Sequence, residues 1–313
     1  MRQFVLRRLL QTIPVLFLFS VIVFAVLRLV PGDPAVVMLG LQATPEAVAE
    51  IRQEMGLDRS IPVQYVVWLN HVAHGDFGVS WTSKQPVWKL IQRRFEATIF
   101  LTLGATIVGI VIALPLGILA GVRPYSKFGA FATTFSLLGV ALPGFWLGLL
   151  LLLLFSVRVH WLPPSGYVPF WDDPIQSIKH LILPAITLGV GLAAPLARFV
   201  RSGMLDVMGS DYIRTARAKG LAERSIISRH AMRNGMLPVV TIFGLEFGSM
   251  LGGAVITESV FNWPGIGTLL LTAIKQRDYA MVQGTVLFIS LVFILINLMI
   301  DIAYGYLDPR IRA

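Results

Sequence analysis

Six stretches of this chain are each apolar over about the 20 residues that a helix needs to cross the hydrocarbon core of a bilayer. They lie near Leu9–Val30, Ala97–Gly121, Phe131–Val157, Leu181–Val200, Met236–Glu258 and Val282–Tyr304. Backbone amides in lipid must be satisfied within the segment, so runs of this length read as helices. The expected fold is an all-α polytopic membrane protein with six transmembrane helices. Hydrophobic residues make up 56% of the 313 and charged residues 14%, which excludes an ordinary soluble domain. The first run follows "MRQFVLRR" and starts like a signal peptide. It is too long for an h-region and closes on no small-x-small site, so it reads as a retained helix bent or entered at Pro14. There is no cysteine, which leaves packing alone to hold the helices together.

The net charge of +9 is concentrated in short flanks beside apolar runs, as orientation signals are, and not in a nucleic-acid-binding face. Arg2, Arg7 and Arg8 precede the first run, Arg123 and Lys127 follow the second, and Arg310 and Arg312 follow the last. The segment after the fourth run carries Arg198, Arg201, Arg214, Arg217, Lys219, Arg224, Arg229 and Arg233. With six spans all four flanks share one side, which the positive-inside rule makes the cytoplasm, with both termini there. The expected organisation is residues 1–30 as the N-terminal end and first helix, 31–96 as an external subdomain, and 97–313 as a five-helix core that includes the basic loop 204–235. Segment 31–96 opens on "PGDP", where a helix must stop, and carries a helix near Thr44–Met55 with Thr44 as its cap and Gly56 beyond its end. Tyr65, Trp68 and Leu69 fall at helical spacing and read as a packing face. Trp161, Trp171 and Trp263, near external span ends, suit an interfacial belt.

Between helices in lipid, small residues permit close approach. Gly117 and Gly121 in the second run, and Gly244, Gly248 and Gly252 in the fifth, form such faces. Pro143–Gly144 in the third run and Pro195 in the fourth interrupt hydrogen bonding, which is tolerated where neighbours or a cavity satisfy the freed carbonyls. Glu246 is an ionisable group deep in the fifth run. It reads either as a carboxyl bonded to a neighbouring helix or, with Pro143 and Gly144, as part of a translocation pathway. Asn297 and Asp301 read as structural polar contacts.

No G-x-x-x-x-G-K-[ST] loop and no H-E-x-x-H occurs, and the five histidines are scattered. His71 and His74 are a helical turn apart but have no third ligand nearby. No catalytic set and no metal site is expected, so the chain reads as a channel, a receptor or the membrane half of a transporter powered by another subunit.

The basic loop contains "DYIRTARAKGL", Asp211 to Leu221. On a helix, Tyr212, Ile213, Ala216 and Gly220 share an apolar or small face, and Arg214, Arg217 and Arg224 share the adjacent one. Ala216 and Gly220 are too small for lipid insertion, so the face suits a groove in protein; a solvated basic loop is the alternative.

"DYIRTARAKGL" with "RHAMRNGMLPVVT" (Arg229–Thr241) resembles the cytoplasmic loop of permease subunits of ATP-binding-cassette importers. "LRRLLQTIPVLF", "VPGDPA", "MGLDRSIPVQYVVWL", "GDFGVSW", "ESVFNWPGIG" and "RDYAMVQG" are similar to the first permease subunit of the dipeptide, oligopeptide and nickel group, over essentially the whole chain. The resemblance implies the type I importer permease fold. It implies that Asp211, Tyr212, Arg214, Thr215, Ala216, Arg217, Ala218, Lys219, Gly220 and Leu221 form a coupling helix that docks on an ATPase subunit. It implies a homologous second permease, two ATP-binding subunits holding ATP and magnesium, and an external binding protein, with Asp76 and Trp81 as candidate contacts for that protein. Short peptides are the expected cargo, with glutathione, nickel or another small solute as alternatives. Where the wider superfamily has Glu-Ala-Ala ahead of its loop glycine, this chain has Arg214, Thr215 and Ala216, a feature similar to the peptide group.

Overall fold

The computed structural model describes residues 2–29, 33–40, 43–54 and 56–307, and every regular element among them is helical. Chain contacts divide it into two compact units. One comprises Ala97–Pro264 with the segment from Met299 on, the other Arg2–Glu96 with Gly265–Leu298.

In the second of these units, α1 (Arg2–Leu29) packs on α4 (Ile61–Ala73). Phe24 meets Tyr65 edge-on at 5.2 Å and Trp68 at 5.6 Å, and the Tyr65 hydroxyl shares a 2.8 Å hydrogen bond with Ser20 Oγ. The aromatic spacing of Tyr65 and Trp68 is therefore a packing face. Asp33 caps α2 (Pro34–Leu39) by accepting from Ala35 N, and Pro34 occupies the first turn, where its missing N–H costs nothing. Helix α3 (Pro45–Glu54) starts after Thr44, whose Oγ1 accepts from Ala47 N. Met55, the expected last residue of that helix, lies outside the described residues.

Helix α5 (Val87–Val122) is 36 residues long, about 54 Å at 1.5 Å per residue. It starts ten residues before the expected run, because Val87 and Ile91 bury against Ile266, Ala273, Met281 and Phe288. The end of segment 31–96 is thus the first part of α5. Between Phe261 and Tyr279 lies α13 (Ile266–Lys275), an amphipathic helix too short to have registered as a span.

In the other unit α8 (Pro174–Met208) is the central element, packed against α6 (Lys127–Ala141), α7 (Gly144–Leu151) and α12 (Leu237–Val260). It begins at Asp173, whose carboxylate accepts from the N–H of Ile175 and Gln176, and runs through Pro184 and Pro195 without ending. The close approach expected of Gly117 and Gly121 is made onto this helix. A Cβ at Gly117 would stand 2.6 Å from Val200 Cγ1, and one at Gly121 would stand 2.5 Å from Met204 Cβ. Gly244 does the same against Ile300, while the surroundings of Gly252 lie outside the described residues.

The expected third span is two helices. Leu142 and Pro143 leave the helical region (ψ 129° and 130°), and α6 and α7 meet at 105°. Proline explains the break, since it removes a donor and disfavours helix at the residue before it. Beyond α7 a π-helical turn, Leu152–Arg158, closes the segment. Among the described residues four helices are long and apolar enough to cross a membrane, or five if the bent pair is one span. They are α1, α5, α8 and α14 (Tyr279–Leu307). The fifth expected run coincides with α12, whose described apolar stretch is Val239–Gly248.

Candidate functional site

The basic stretch folds as α9 (Asp211–Ala218), joined to the end of α8 by Gly209 and Ser210. Its amphipathic pattern has a definite use. Ile213 is fully buried and Ala216 nearly so, in one cluster with Met204, Val200, Ile226, Ala231 and Val239. The groove that takes this face is the chain's own. The reason is energetic: an isoleucine gains roughly 1.5–3 kcal/mol by burial, and the chain's own helices supply that burial locally. Tyr212 and Gly220, assigned to the same face, are exposed.

The opposite side is open. Asp211, Tyr212, Arg214, Thr215, Arg217, Ala218, Lys219, Gly220 and Leu221 are all exposed. Gly220 has φ +76° and open space around its absent Cβ, so the glycine serves a left-handed helix stop. Leu221 N donates to Ala216 O (3.3 Å) and Gly220 N to Arg217 O (2.9 Å), the paired bonds of a Schellman ending.

Electrostatics inside the loop fix its shape. Arg217 grips Glu223 with two bonds, Nη2 to Oε1 at 2.8 Å and Nε to Oε2 at 3.2 Å. That hydrogen bonding holds the Arg217 guanidinium above its ordinary value and the Glu223 carboxyl below its own. Glu223 opens α10 (Glu223–Ser225), from which a π-helical turn, Ile226–Ala231, leads into α11 (Met232–Gly235). Asn234 Nδ2 donates to the Tyr212 hydroxyl at 2.9 Å. Gly235 abuts Gly203 of α8 backbone to backbone: a Cβ at Gly203 would clash with Gly235 O, and one at Gly235 would stand 3.1 Å from Gly203 O. Arg214 makes only a 3.5 Å contact to Asp211, and Lys219, Arg224, Arg229 and Arg233 have no ion-pair partner among the described residues. The loop is a cation-rich surface. Glu223, Asn234 and the Gly203–Gly235 contact were not singled out by sequence, because each works through a partner distant in the chain.

The remaining candidates lie elsewhere. Glu246 is partly buried on α12, and Pro143 and Gly144 are exposed at the bend between α6 and α7. Asp76 accepts from Gly78 N at 2.9 Å and lies 3.3 Å from His71 Nδ1, ordering a turn; Lys84 Nζ covers the Trp81 ring at 3.3 Å. No group of three or more potential metal ligands is found among the described residues.

Two buried carboxylates were missed. Asp278 is 1% exposed and accepts from Ser80 Oγ (2.6 Å), Thr82 Oγ1 (3.0 Å), Thr82 N (3.2 Å) and Met281 N (3.1 Å). Burial pushes its pKa up, but these donors outweigh burial and hold it below the ordinary aspartate value. Glu258, fully buried on α12, accepts from Thr98 Oγ1 at 2.8 Å. Trp263, expected in an interfacial belt, is 1% exposed: its Nε1 donates to Ala97 O (2.8 Å) and its ring meets Tyr167 at 4.9 Å. An indole whose N–H finds an internal acceptor can be buried whole. Trp161 and Trp171 are exposed.

Two family models cover this chain. Residues 113–313 match the binding-protein-dependent transport system inner membrane component, and residues 1–102 match the N-terminal part of such membrane components. Among curated proteins, the glutathione transport system permease protein GsiC of Salmonella typhimurium is 43% identical over 312 residues, covering 100% of this chain and 99% of that protein. The dipeptide transport system permease protein DppB of Escherichia coli is 42% identical over 336 residues, with the same coverage. Among solved structures, an inward-facing conformation of the MetNI methionine ABC transporter superposes with a TM-score of 0.57 at 20% identity, covering 70% of this chain and 96% of that one. That last likeness is one of fold.

Proposed function

Because this chain belongs to the family of binding-protein-dependent transport system inner membrane components, we propose that it moves short peptides, including peptide-like solutes such as glutathione, into the cell. It is the permease subunit of an ATP-binding-cassette importer, and in this family ATP is hydrolysed by separate subunits. The reading places α1, α5, the bent α6–α7 pair, α8, α12 and α14 as six spans with the basic loop and both termini in the cytoplasm. A second permease, two ATPase subunits that hold ATP and magnesium, and an external binding protein complete the machine.

The observation that carries this reading is α9 itself. One face is anchored in the chain's own core through Ile213 and Ala216, and the other presents Asp211, Arg214, Thr215 and Lys219 outward. A helix fixed on one side and cationic on the other transmits force to a partner with acidic groups, the role of a coupling helix. Full-length similarity to both a glutathione and a dipeptide permease supports a peptide-type cargo.

The test is uptake in proteoliposomes that contain this chain and its four partners. Accumulation of labelled di- or tripeptide or glutathione that requires both ATP and the binding protein is the expected result. ATP hydrolysis with no accumulation of any of these solutes overturns the cargo assignment, and flux without ATP overturns the importer mechanism in favour of a channel.

A further inference from the structure

A cleft of about 180 Å³ opens between α6 and α8, lined by Thr133, Ser136, Leu137, Val140, Ala141, Arg198 and Arg201. The register of the two helices gives it a polarity. Gly139 abuts Ala194, while Thr133 and Arg201 line the same cleft, so α6 and α8 run antiparallel here. Thr133, Ser136 and both arginines therefore lie toward one end, and Val140 and Ala141 toward the other.

The charged end lacks a counter-ion. Arg201 Nε is buried with no hydrogen-bond partner, and neither arginine has a carboxylate partner among the described residues. The hydroxyls of Ser136 and Thr133 donate to Ala132 O and Gly129 O, both at 2.9 Å, so the free donors in the cleft are guanidinium N–H groups. A buried donor left unpaired is costly, and a guanidinium is shaped for a two-oxygen anion. The ligand that fits is anionic at one end and apolar at the other.

Depth then selects among such ligands. On the reading that α8 spans the membrane with its basic end inside, Arg198 and Arg201 stand where the apolar run gives way to the cytoplasmic flank, the level of lipid phosphates. We propose that this cleft binds an anionic phospholipid of the inner leaflet, with its phosphate held by Arg198 and Arg201 and one acyl chain lying along Leu137, Val140 and Ala141. Basic pockets between membrane helices on the cytoplasmic side suit such headgroups, and the apolar far end offers nothing to a polar solute. Arg201 precedes α9 by only ten residues, all but Gly209 and Ser210 on α8, so the bound lipid lies against the helix that carries the basic loop.

The experiment is a lipid titration of the complex purified from membranes, followed by native mass spectrometry. Phosphatidylglycerol and phosphatidylcholine of equal chain length are compared. Phosphatidylglycerol is expected to bind in preference, and the Arg198→Gln, Arg201→Gln double variant to weaken it by roughly tenfold or more without changing phosphatidylcholine binding. Leu137→Trp, which fills the cleft and leaves both arginines, is expected to weaken it as well, and this arm stands if the arginine variant does not fold. Equal binding of the two lipids, or phosphatidylglycerol binding unchanged in a folded variant, overturns the proposal. So does displacement of phosphatidylglycerol by a free dipeptide, which would mark the cleft as a solute site. The titration makes no use of transport, so its failure leaves the importer reading standing, and a failed uptake assay leaves the lipid site standing.

Discussion

Ser80 Oγ donates to Asp278 Oδ2 at 2.6 Å, a bond that joins two residues 198 positions apart in the chain. It closes the "GDFGVSW" segment onto the turn that launches α14, and Thr82 and Met281 complete the cage around the same carboxylate. Charge-assisted bonds to a buried carboxylate are the strong kind, at roughly 1.5–3 kcal/mol net for a single bond.

Asp278→Ala takes the acceptor from the buried Ser80 hydroxyl and Met281 N–H, while the exposed Thr82 can turn to water. The expected cost is about 3 kcal/mol of stability, read as a lower unfolding temperature in detergent, while the isosteric Asp278→Asn loses less. A melting temperature within error of wild type for Asp278→Ala would contradict the cage. The pH dependence follows in sign. The folded pKa lies below the ordinary value of 3.8, so the stabilisation is complete above that value and is lost only as pH falls through the folded pKa. Stability between pH 5 and 8 is therefore expected to owe nothing to this group's titration.

On the proposed reading, substitutions on the two faces of α9 are expected to separate stability from coupling. Ile213→Ala empties a fully buried site and is expected to destabilise by about 2–4 kcal/mol. Arg214→Glu and Ala218→Trp lie on the exposed face and are expected to leave melting unchanged while cutting peptide uptake per ATP hydrolysed by roughly tenfold or more, the effect of reversing one well-placed charge contact. Uptake and hydrolysis measured together in proteoliposomes decide it, and unaltered coupling in both surface variants counts against docking through this face.

At Gly220 the constraint is the backbone. Gly220→Ala is expected to cost roughly 1–2 kcal/mol because φ is +76°, and Gly220→Asn less, since asparagine tolerates that region. Gly220→Trp adds bulk on the exposed side and is expected to uncouple hydrolysis from uptake while the chain still inserts. Circular dichroism melts rank the three, and an alanine variant as stable as wild type removes the Schellman ending from the account.

Where α8 meets α11, Gly203 leaves no space for a side chain and Gly235 leaves a tight one. Gly203→Ala forces the backbones apart, with an expected cost of about 1–3 kcal/mol and a matching fall in folded yield, and Gly235→Ala is expected to cost less. Gly191 on the same helix α8 has nothing within 4 Å of a built Cβ, so Gly191→Ala is the control that changes little.

The sequence carried what depends on local pattern. Apolar runs located α1, α5, α8 and α14, Thr44 marked the start of α3, and Pro143 marked the break in the third run. It could not carry what depends on distant partners. Proline forbids a continued helix but sets no angle, so the 105° turn was not legible. Trp263 looked interfacial because nothing near it in the chain announces Ala97 O as the acceptor that lets it be buried. The periodicity of α9 showed that Ile213 and Ala216 share a face, yet periodicity does not say whose groove receives it.

Helix α8 runs 35 residues, about 52 Å, and passes two prolines without a break before Gly209 and Ser210 turn it into α9. Those two residues are the whole joint, and Ile213, Met204 and Gly203–Gly235 clamp both of its sides. If α9 is the element that a partner pushes, a two-residue linkage leaves little length in which that stroke could be absorbed before it reaches α8.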